Sequence, residues 1–253
     1  MKNITILSGK GGVGKSSITA SLAVLLAKKK KIVAVDCDVD ASNLALVLGI
    51  EKFEKEEEIS TNEKAFVNEN AKNCKEILDI CTFSAIGWNK EKEIPEINKY
   101  LCEGCGACKL LCPDGIDLKK VKNAKIAQAM TNYNFPVISG QLKMGESGSG
   151  KVVDIIKRKA EQNDAELMIV DSAAGIGCPV IASIQGSDFI LAVTEPTPSA
   201  LSDLKRSLQV VEHFRIPYGI IINKYDLNEE FSKEIEKFAN SNKIPMLAKI
   251  PYS

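Results

Sequence analysis

A glycine-rich segment between an apolar run and a helix-forming stretch constrains the fold of this chain more than any other feature. The segment reads Gly9-Lys10-Gly11-Gly12-Val13-Gly14-Lys15-Ser16; residues 4–7 before it are mostly apolar, and residues 17–27 after it favour a helix. Glycines let the backbone wrap a phosphate with its N–H groups at a helix N-terminus, where the helix dipole also favours anions. The pattern therefore predicts a phosphate-binding loop (P-loop) that joins a strand to a helix.

The same pattern assigns roles to individual residues of the loop. Lys15 is expected to reach the β- and γ-phosphates of a nucleotide, and Ser16 is expected to hold Mg²⁺. A glycine-rich turn without a ligand would leave Lys10 and Lys15 as unpaired cations beside a helix N-terminus, where positive charge is unfavourable. The predicted nucleotide-binding residues of this segment are Gly11, Gly12, Val13, Gly14, Lys15, Ser16 and Ser17.

Carboxylates follow two further apolar runs of the chain. One run ends in Asp36-Cys37-Asp38-Val39-Asp40, and a later one ends in Asp171. Ligands of doubly wound parallel sheets bind at the carboxyl ends of the strands, so these acids are expected to lie near the P-loop. Asp171 has the position of a Walker B acid, which accepts from a magnesium-bound water or from Ser16. Asp40 has a second interpretation as the N-cap of a helix over residues 42–48.

Cysteine usage adds a second motif. Six of the eight cysteines fall between Cys74 and Cys112, and an intracellular chain is expected to use them for metal rather than disulfides. The segment from Cys102 to Pro113 fits the bacterial ferredoxin run C-x2-C-x2-C-x3-C-P without a mismatch. This run predicts a 4Fe–4S cluster. Zinc is the alternative metal, although its ligands normally come as C-x2-C pairs that lie far apart.

The remains of an earlier cysteine run precede the complete one. In two-cluster ferredoxins the fourth cysteine of each run ligates the other cluster, so Cys81 is expected to complete the site. Cys74 and Cys112 are then too few for a second cluster unless a partner subunit completes it. They are left as free thiols or as a pair; resemblance to single-cluster ferredoxins allows a disulfide, which an intracellular compartment disfavours. The predicted ligands of the one 4Fe–4S cluster are Cys81, Cys102, Cys105 and Cys108.

The extra lysine of the glycine-rich loop, Lys10, gives the chain a resemblance to a known family. Lys-Gly-Gly-Val-Gly-Lys-Ser is similar to the deviant Walker A loop of the MinD/ParA class of ATPases, which includes the nitrogenase iron protein and Mrp-type iron–sulfur carriers. The resemblance implies a homodimer that sandwiches ATP, with Lys10 of each subunit touching the phosphates held by the other. It further implies catalytic roles for Lys10, Lys15 and Asp38, and Asp38 would position the attacking water. Asp36 would lie near the Mg²⁺ shell.

Two more segments resemble parts of this class. Asn223-Lys224-Tyr225-Asp226 follows an apolar run; in G proteins such a sequence reads guanine, whereas in the MinD class Asn223 would meet adenine. ATP is therefore the predicted nucleotide and GTP the alternative. Residues 172–179 resemble switch II, where a glycine N–H senses the γ-phosphate. Cys178 within this switch is interpreted as a small buried thiol; the alternative is a thiolate that bridges a cluster between subunits, as in the nitrogenase iron protein.

The expected fold is α/β: a doubly wound, mostly parallel sheet of the P-loop NTPase type with an inserted small ferredoxin-like α+β module. The ATPase domain is predicted over residues 1–60 and 121–253, and the iron–sulfur module over residues 61–120. Residues 51–69 are rich in Glu and Lys and are interpreted as a solvated linker or a solvated face. Residues 145–152 nearly match a second P-loop and are interpreted as a flexible loop and the start of a helix.

Composition narrows the choice of partners and compartment. Thirty-three basic residues balance 33 acidic ones, so no overall field attracts nucleic acid or an anionic membrane. No continuous apolar run exceeds about 12 residues, which excludes a transmembrane helix, and the chain enters a strand at once, which excludes a signal peptide. We therefore expect a cytoplasmic protein that binds neither nucleic acid nor membrane.

These motifs together predict a Mg²⁺-dependent ATPase whose nucleotide state controls a 4Fe–4S centre. The centre would serve electron transfer, or iron–sulfur or metallocofactor assembly, with a redox or assembly partner that the sequence does not name. The alternative is a MinD/ParA-like positioning or scaffolding switch in which the cluster is only structural.

Overall fold

The structure, a computed structural model, describes residues 1–72 and 74–252. It divides the chain into two compact units, which are called the first and the second unit below. The first unit comprises Met1–Glu57, Ile126–Gln141 and Ser149–Ser253, and the second comprises Glu58–Lys125 and Leu142–Gly148. The second unit is wider than the predicted insert of residues 61–120, since it also takes a short segment after the ninth strand.

Thirteen strands and eight α-helices make up the secondary structure of the described residues. The strands are β1 (Lys2–Ser8), β2 (Ile32–Asp36), β3 (Lys55–Ile59), β4 (Asn62–Val67), β5 (Ile86–Asn89), β6 (Ile94–Ile97), β7 (Ile116–Val121), β8 (Ala124–Met130), β9 (Pro136–Leu142), β10 (Leu167–Ala174), β11 (Phe189–Thr194), β12 (Tyr218–Asn223) and β13 (Met246–Ile250). The helices are α1 (Lys15–Ala27), α2 (Leu44–Val47), α3 (Ile77–Ile80), α4 (Ala107–Leu111), α5 (Ser149–Glu161), α6 (Cys178–Ile184), α7 (Pro198–His213) and α8 (Glu229–Ser241). None of these helices has the length and hydrophobicity needed to span a bilayer.

Nine strands form one sheet in the order β13-β12-β11-β1-β10-β2-β9-β8-β3. The pairings from β13 through β9 are parallel, which confirms the expected α/β class with a large, mostly parallel sheet. β1 lies between β10 and β11, and β10 pairs with β2 so that Asp171 lies opposite Asp36. The carboxyl ends of β1, β10 and β2 therefore meet at one edge of the sheet.

Helices cover both faces of the central strands. Because side chains alternate along a strand, Ile6 and Leu7 of β1 belong to different apolar clusters. Ile6 packs with Ala20 and Ala23 of α1, whereas the cluster around Leu7 contains Val180 of α6. Ile6 and Leu7 are both fully buried. The continuous apolar runs of the sequence thus reflect strands that are buried on both faces.

The second unit has a separate small core. β4 pairs antiparallel with β7, and β5 pairs antiparallel with β6. Ala65 of β4 and Ile116 of β7 pack with Ile77 of α3, and Cys74 and Cys112 lie in the same cluster. These two cysteines form a disulfide with a Cα–Cα distance of 6.0 Å. The sequence left Cys74 and Cys112 as free thiols or as a pair, and in the structure they are paired.

Residues 51–69 were interpreted as a solvated linker or face. The linker is wrong, because the segment contains β3 and all of β4, but β3 does present an exposed, charged face. β3 is the edge strand of the large sheet, and four of its five residues are exposed. An edge strand needs no apolar alternation, since solvent covers its side chains. Its charges are also paired: Glu57 lies 2.8 Å from Lys159, and Glu58 lies 2.6 Å from Lys143.

Residues 145–148, the start of the segment that nearly matches a second P-loop, are held by side chains of the second unit. This differs from the flexible loop that was expected. Asn62 Nδ2 donates to the carbonyl of Ser147 at 2.6 Å, and Asn123 Nδ2 donates to the same carbonyl at 2.9 Å. The buried Lys64 lies 2.9 Å from Glu146 Oε2. This segment is thus part of a packed structure before α5 begins at Ser149.

Candidate functional site

The P-loop joins β1 to α1, and the packing around it requires glycine. Gly12 and Gly14 have φ of 81° and 91°, the left-handed region that L-residues with side chains avoid. A Cβ at Gly9 would collide with the backbone of Asp203, and one at Gly14 would collide with the amide of Asn223. The glycines therefore fix both the curvature of the loop and its close contacts with α7 and β12.

Lys15 and Asp171 form a buried ion pair at the start of α1. Lys15 Nζ lies 2.8 Å from Asp171 Oδ1, and Thr19 Oγ1 donates to the same oxygen at 2.8 Å. Lys15 is 6% exposed and Asp171 is fully buried. Among the described residues, Asp171 Oδ2 has no hydrogen-bond partner. A buried carboxylate oxygen without a partner carries a full desolvation cost, so this atom is suited to bind a ligand.

Asp36 lies at the end of β2 beside Asp171, where it stabilises the turn that follows the strand. Its Oδ1 accepts from the N–H of Asp38 at 3.1 Å, and its Oδ2 accepts from the N–H of Leu44 at 2.9 Å. Asp36 thus supplies the hydrogen bond at the N-terminus of α2 that was expected from Asp40, which is exposed. Burial and the nearby negative charge of Asp171 raise the pKa of Asp36 to about 7.

Asp38 lies on the turn after β2 and is partly buried. Burial raises the pKa of this carboxyl group above its ordinary value. The positive charge of Lys15 opposes that shift, and the negative charge of Asp171 adds to it. Asp38 therefore lies within the electrostatic field of the Lys15–Asp171 pair, and its role toward a water molecule stays a prediction.

Lys10 makes an ion pair within its own chain. Its Nζ lies 3.3 Å from Glu195 Oε1 and 3.5 Å from Ser199 Oγ. Lys224 Nζ lies 3.2 Å from Glu195 Oε2 and donates to the carbonyl of Gly12 at 3.1 Å. Glu195 therefore connects the two lysines on one side of the P-loop. The side chain of Lys10 is 40% exposed, and its role across a dimer interface stays a prediction.

A cleft of about 570 Å³ opens beside the P-loop. Asn223 Nδ2 donates to the carbonyl of Val13 at 2.8 Å, so this side chain supports the loop. Asp226 Oδ1 accepts from the N–H of Tyr252 at 2.7 Å, which holds the segment after β13 next to the cleft. The residues that line the cleft include Gly14, Ser17, Leu22, Asn223, Pro251 and Tyr252.

The four cysteines that were predicted as cluster ligands line one pocket of the second unit. They are Cys81, Cys102, Cys105 and Cys108. The N–H of Ala85 donates to Cys81 Sγ at 3.3 Å, and the N–H of Ala65 donates to Cys102 Sγ at 3.4 Å. Burial raises the pKa of the Cys108 thiol, and the charges of Cys102 and Cys105 raise it further. The structure therefore brings the four thiols together.

Two glycines shape this pocket. Gly104 and Gly106 have φ of 68° and 81°, and a Cβ at Gly104 would collide with the backbone of Glu63. Within residues 1–72 and 74–252, no group of three or more His, Cys, Asp or Glu side chains could hold a metal ion in its present positions. The four thiols thus line the pocket, and they do not converge on the position of a single metal ion.

The sequence and the fold relate this chain to known proteins. Residues 4–253 match the family described as the CobQ/CobB/MinD/ParA nucleotide binding domain. The chain belongs to this family. An uncharacterized protein of Methanocaldococcus jannaschii is 43% identical over 226 residues, which cover 89% of this chain and 79% of the relative. An uncharacterized ATP-binding protein of the same organism is 46% identical over 237 residues, covering 92% of this chain and 69% of the relative.

A solved structure shares the family's fold. The septum site-determining protein MinD of Pyrococcus horikoshii, complexed with Mg-ADP, aligns with a TM-score of 0.61. The alignment covers 100% of this chain and 82% of that protein at 19% identity, a level that shows the fold alone. The match of residues 4–253 confirms the predicted MinD/ParA resemblance for most of the chain.

The segment that resembles switch II in this MinD/ParA family member lies after the Asp171 strand. Gly175, with φ of 93°, donates its N–H to the carbonyl of Ser8 at 2.9 Å, so the segment starts beside the P-loop. Cys178 begins α6 and is exposed, and the expectation that it is a buried thiol is therefore wrong. The seven-residue helix starts here because Gly177 precedes Pro179, whose fixed φ suits the first turn.

Several residues of the nucleotide-binding domain were missed by sequence reasoning. Thr19 lies four positions after Lys15 on α1, a spacing that puts both side chains on one helix face and could have indicated its contact with Asp171. Glu195 and Tyr252 follow strand ends, as ligand-binding residues of such sheets do. Only the tertiary structure brings them beside the P-loop, because their partners lie far away in the sequence.

Proposed function

We propose that this chain is a Mg²⁺-dependent ATPase that holds one 4Fe–4S cluster and couples its nucleotide state to that cluster. The coupling would serve electron transfer, or iron–sulfur or metallocofactor assembly. The observation that supports nucleotide binding is the buried carboxylate of Asp171. One of its oxygens accepts a hydrogen bond from Lys15, and the other has no partner among the described residues. The four-cysteine pocket supports the other half.

The residues around Asp171 fit a magnesium–phosphate group. Lys15 supplies positive charge for the phosphates, and the Ser16 hydroxyl and the free Asp171 oxygen are ordinary partners for Mg²⁺ and its waters. Mg²⁺ supplies charge neutralisation when it is bound. Asp38 would orient water for in-line attack, and Asp36 would stabilise the turn that carries Asp38 in addition to its predicted place near the Mg²⁺ shell.

Adenine is favoured over guanine as the base. Guanine readers use the aspartate of Asn-Lys-x-Asp to bind the base, but here Asp226 accepts from the backbone of Tyr252. That carboxylate is therefore engaged in holding the wall of the cleft. The relative named as an ATP-binding protein supports the same choice.

The four-cysteine pocket fits an iron–sulfur cluster better than a single zinc ion. A cluster binds each thiolate through its own iron, so its ligands line a volume, whereas four ligands of one zinc ion lie about 2.3 Å from one point. The N–H groups of Ala65 and Ala85 donate to two of the sulfurs and would stabilise their negative charge. When bound, the cluster supplies one-electron transfer.

The proposed assembly is a homodimer around ATP. Lys10 is partly exposed at the P-loop and is available to a second subunit once it leaves Glu195. The partner that exchanges electrons or receives a metallocofactor would be a separate protein. No nucleic acid or membrane partner is proposed, because the net charge of the chain is zero.

Metal and sulfide analysis of protein purified without oxygen tests the cluster. We expect four irons and four sulfides per chain, with an EPR signal after reduction by dithionite. The Cys105→Ser variant should lose most of the iron, and an exposed Cys178→Ser control should keep it. Zinc in place of iron, or iron that survives the loss of Cys105, would contradict this proposal.

Nucleotide assays test the ATPase and its coupling to the cluster. We expect Mg²⁺-dependent hydrolysis of ATP in preference to GTP, and a hydrolysis rate that changes when the cluster is reduced.

The alternative is a positioning or scaffolding switch with a purely structural cluster. Cys102 and Cys108 pack against the core of the second unit, which favours a contribution of the cluster to folding. In that case hydrolysis and nucleotide affinity would not respond to reduction.

A further inference from the structure

We propose that the Cys74–Cys112 disulfide is a second redox centre, a two-electron couple that receives its electrons through the four-cysteine pocket. The proposal rests on the proposed function, since the pocket must hold its cluster for electrons to pass. It goes beyond that function because it gives the two remaining cysteines of the second unit a chemical role. The disulfide is then an electron store next to a one-electron site.

The disulfide lies one helical turn from a predicted cluster ligand. Cys108 is in α4 and Cys112 follows the end of that helix, with the Cys112 N–H donating to the Cys108 carbonyl at 3.0 Å. Four residues of helix correspond to about 6 Å along the axis. Cys74, Cys108 and Cys112 also belong to the same apolar cluster, with Cys102 packed against it. Packed side chains rather than water therefore separate the two centres.

Burial restricts how this disulfide can be reduced. Cys74 is 9% exposed and Cys112 is 3% exposed. A Cβ on Gly115 would collide with Cys112 Sγ and with Ala71, so the backbone packs closely against the sulfur. Reduction by a thiol requires a thiolate to approach a disulfide sulfur directly. Cys105, by contrast, is exposed, so an electron donor can approach the pocket at that side.

The reaction is a simple disulfide reduction. A low-potential one-electron donor delivers two electrons in succession at the exposed side of the pocket. The sulfur–sulfur bond breaks, each sulfur gains one electron, and each resulting thiolate takes one proton from water. Two oxidised donor molecules and two thiols, Cys74 and Cys112, are the products.

Reduction also changes the segment that carries the ligands. The disulfide joins residues separated by 38 positions, and all four predicted ligands lie between them. Opening the disulfide gives this segment more conformational freedom, because the covalent loop is no longer closed. The redox state of the pair would thus act on the segment that holds the cluster.

An anaerobic titration of the iron-loaded full chain with reduced methyl viologen tests this inference. Samples are denatured and alkylated, and the modified cysteines are identified by mass spectrometry. The wild type should take up three electrons per chain, one seen by EPR and two matched by new alkylation at Cys74 and Cys112. The Cys74→Ser/Cys112→Ser variant should take up one. Uptake of one electron by the iron-loaded wild type, without new alkylation, would overturn the inference.

A variant without iron separates this inference from the proposed function. In Cys105→Ser, the disulfide should resist the same donor, with a reduction rate at least tenfold below that of the wild type. Equal rates would show that the electrons do not pass through the pocket and would overturn the inference. If the wild type itself binds no iron, the proposed function fails instead. If the double serine variant does not fold, the alkylation of the wild type still decides the question.

Discussion

Asp171 links the residues of the nucleotide site because it is buried and accepts two hydrogen bonds at one oxygen. Lys15 and Thr19 both reach Oδ1, and the registered neighbour across the sheet is Asp36. Two carboxylates side by side in a buried place repel each other, which contributes to the raised pKa of Asp36. The positive charge of Lys15 compensates part of this repulsion.

The catalytic assignment of Asp38 predicts a specific loss of turnover. Asp38→Asn should retain ATP binding and lower the rate of hydrolysis roughly 100-fold or more, because the amide cannot act on water as a carboxylate does. The matched control is Asp40→Asn, two residues away and exposed, which should hydrolyse ATP at the wild-type rate. Binding is measured by calorimetry and turnover by phosphate release. Equal rates in the two variants would contradict the role of Asp38.

The raised pKa of Asp36 predicts how stability depends on pH. Its ordinary value is 3.8 and its value in the folded chain is about 7, so between them the folded state holds a proton that the unfolded state has released. The contribution of Asp36 to the free energy of unfolding therefore falls as pH rises through this range.

Urea unfolding at two pH values measures this contribution. Between about pH 5 and about pH 8, the wild type should lose more stability than Asp36→Asn, which cannot titrate. Comparing the two changes with pH cancels the constant effect of the substitution on the turn before α2. A larger loss of stability in Asp36→Asn than in the wild type would contradict the predicted direction of the Asp36 contribution.

α5 and α6 are joined by one buried lysine. Lys157 Nζ donates to the carbonyls of Ala182, Ser183 and Gln185 at 3.0, 2.8 and 2.6 Å. These carbonyls lie at the C-terminal end of α6, where a helix leaves its acceptors without partners and a positive charge is favourable. The N-terminal end of α6 belongs to the segment predicted as switch II. Lys157 therefore fixes the opposite end of a helix that begins in a segment expected to move.

Lys157→Met should destabilise the first unit by about 2–3 kcal/mol, because buried carbonyls lose a charged donor. Arg158→Met, on the exposed side of the same helix, is the control and should change stability by less than about 0.5 kcal/mol. Urea unfolding followed by circular dichroism gives both values. Similar changes in the two variants would mean that the three contacts of Lys157 stabilise little.

The two units of the molecule depend on different kinds of stabilisation. The first unit buries apolar residues on both faces of a large sheet, whereas the second has two small two-stranded sheets and a core that includes cysteines. A small core of this kind usually needs a disulfide or a metal to be stable. The second unit has the disulfide and the four-cysteine pocket.

Removing the disulfide should therefore destabilise mainly the second unit. For a closed loop of 38 residues, the chain-entropy estimate for Cys74→Ser/Cys112→Ser is a loss of about 4 kcal/mol. Hydrogen exchange measured by mass spectrometry should become faster in β4 and β7 and stay unchanged in β1 and β10. Unchanged exchange in β4 and β7 would show that the disulfide stabilises little.

Much of the first unit could be predicted because its signals are local. The mostly apolar run of residues 4–7 and the helix-forming stretch of residues 17–27 were recognised from the sequence alone, and they lie in β1 and α1. α8 was missed, although Ile235 and Ala239 lie on its buried face at a helical spacing. β3 could not be recognised, because its exposed charged residues carry no pattern of burial.

The sequence by itself determined the P-loop, the parallel sheet and the set of four cysteines, because glycine conformation, apolar runs and ligand spacing are properties of short segments. The tertiary structure alone decided that Asp36 and not Asp40 accepts the hydrogen bond from the N-terminus of α2, that Cys74 pairs with Cys112, and that Cys178 is exposed. Each of these depends on which distant segments meet in the folded chain. Spacing along a chain cannot specify such meetings, since burial and pairing arise only when the core forms.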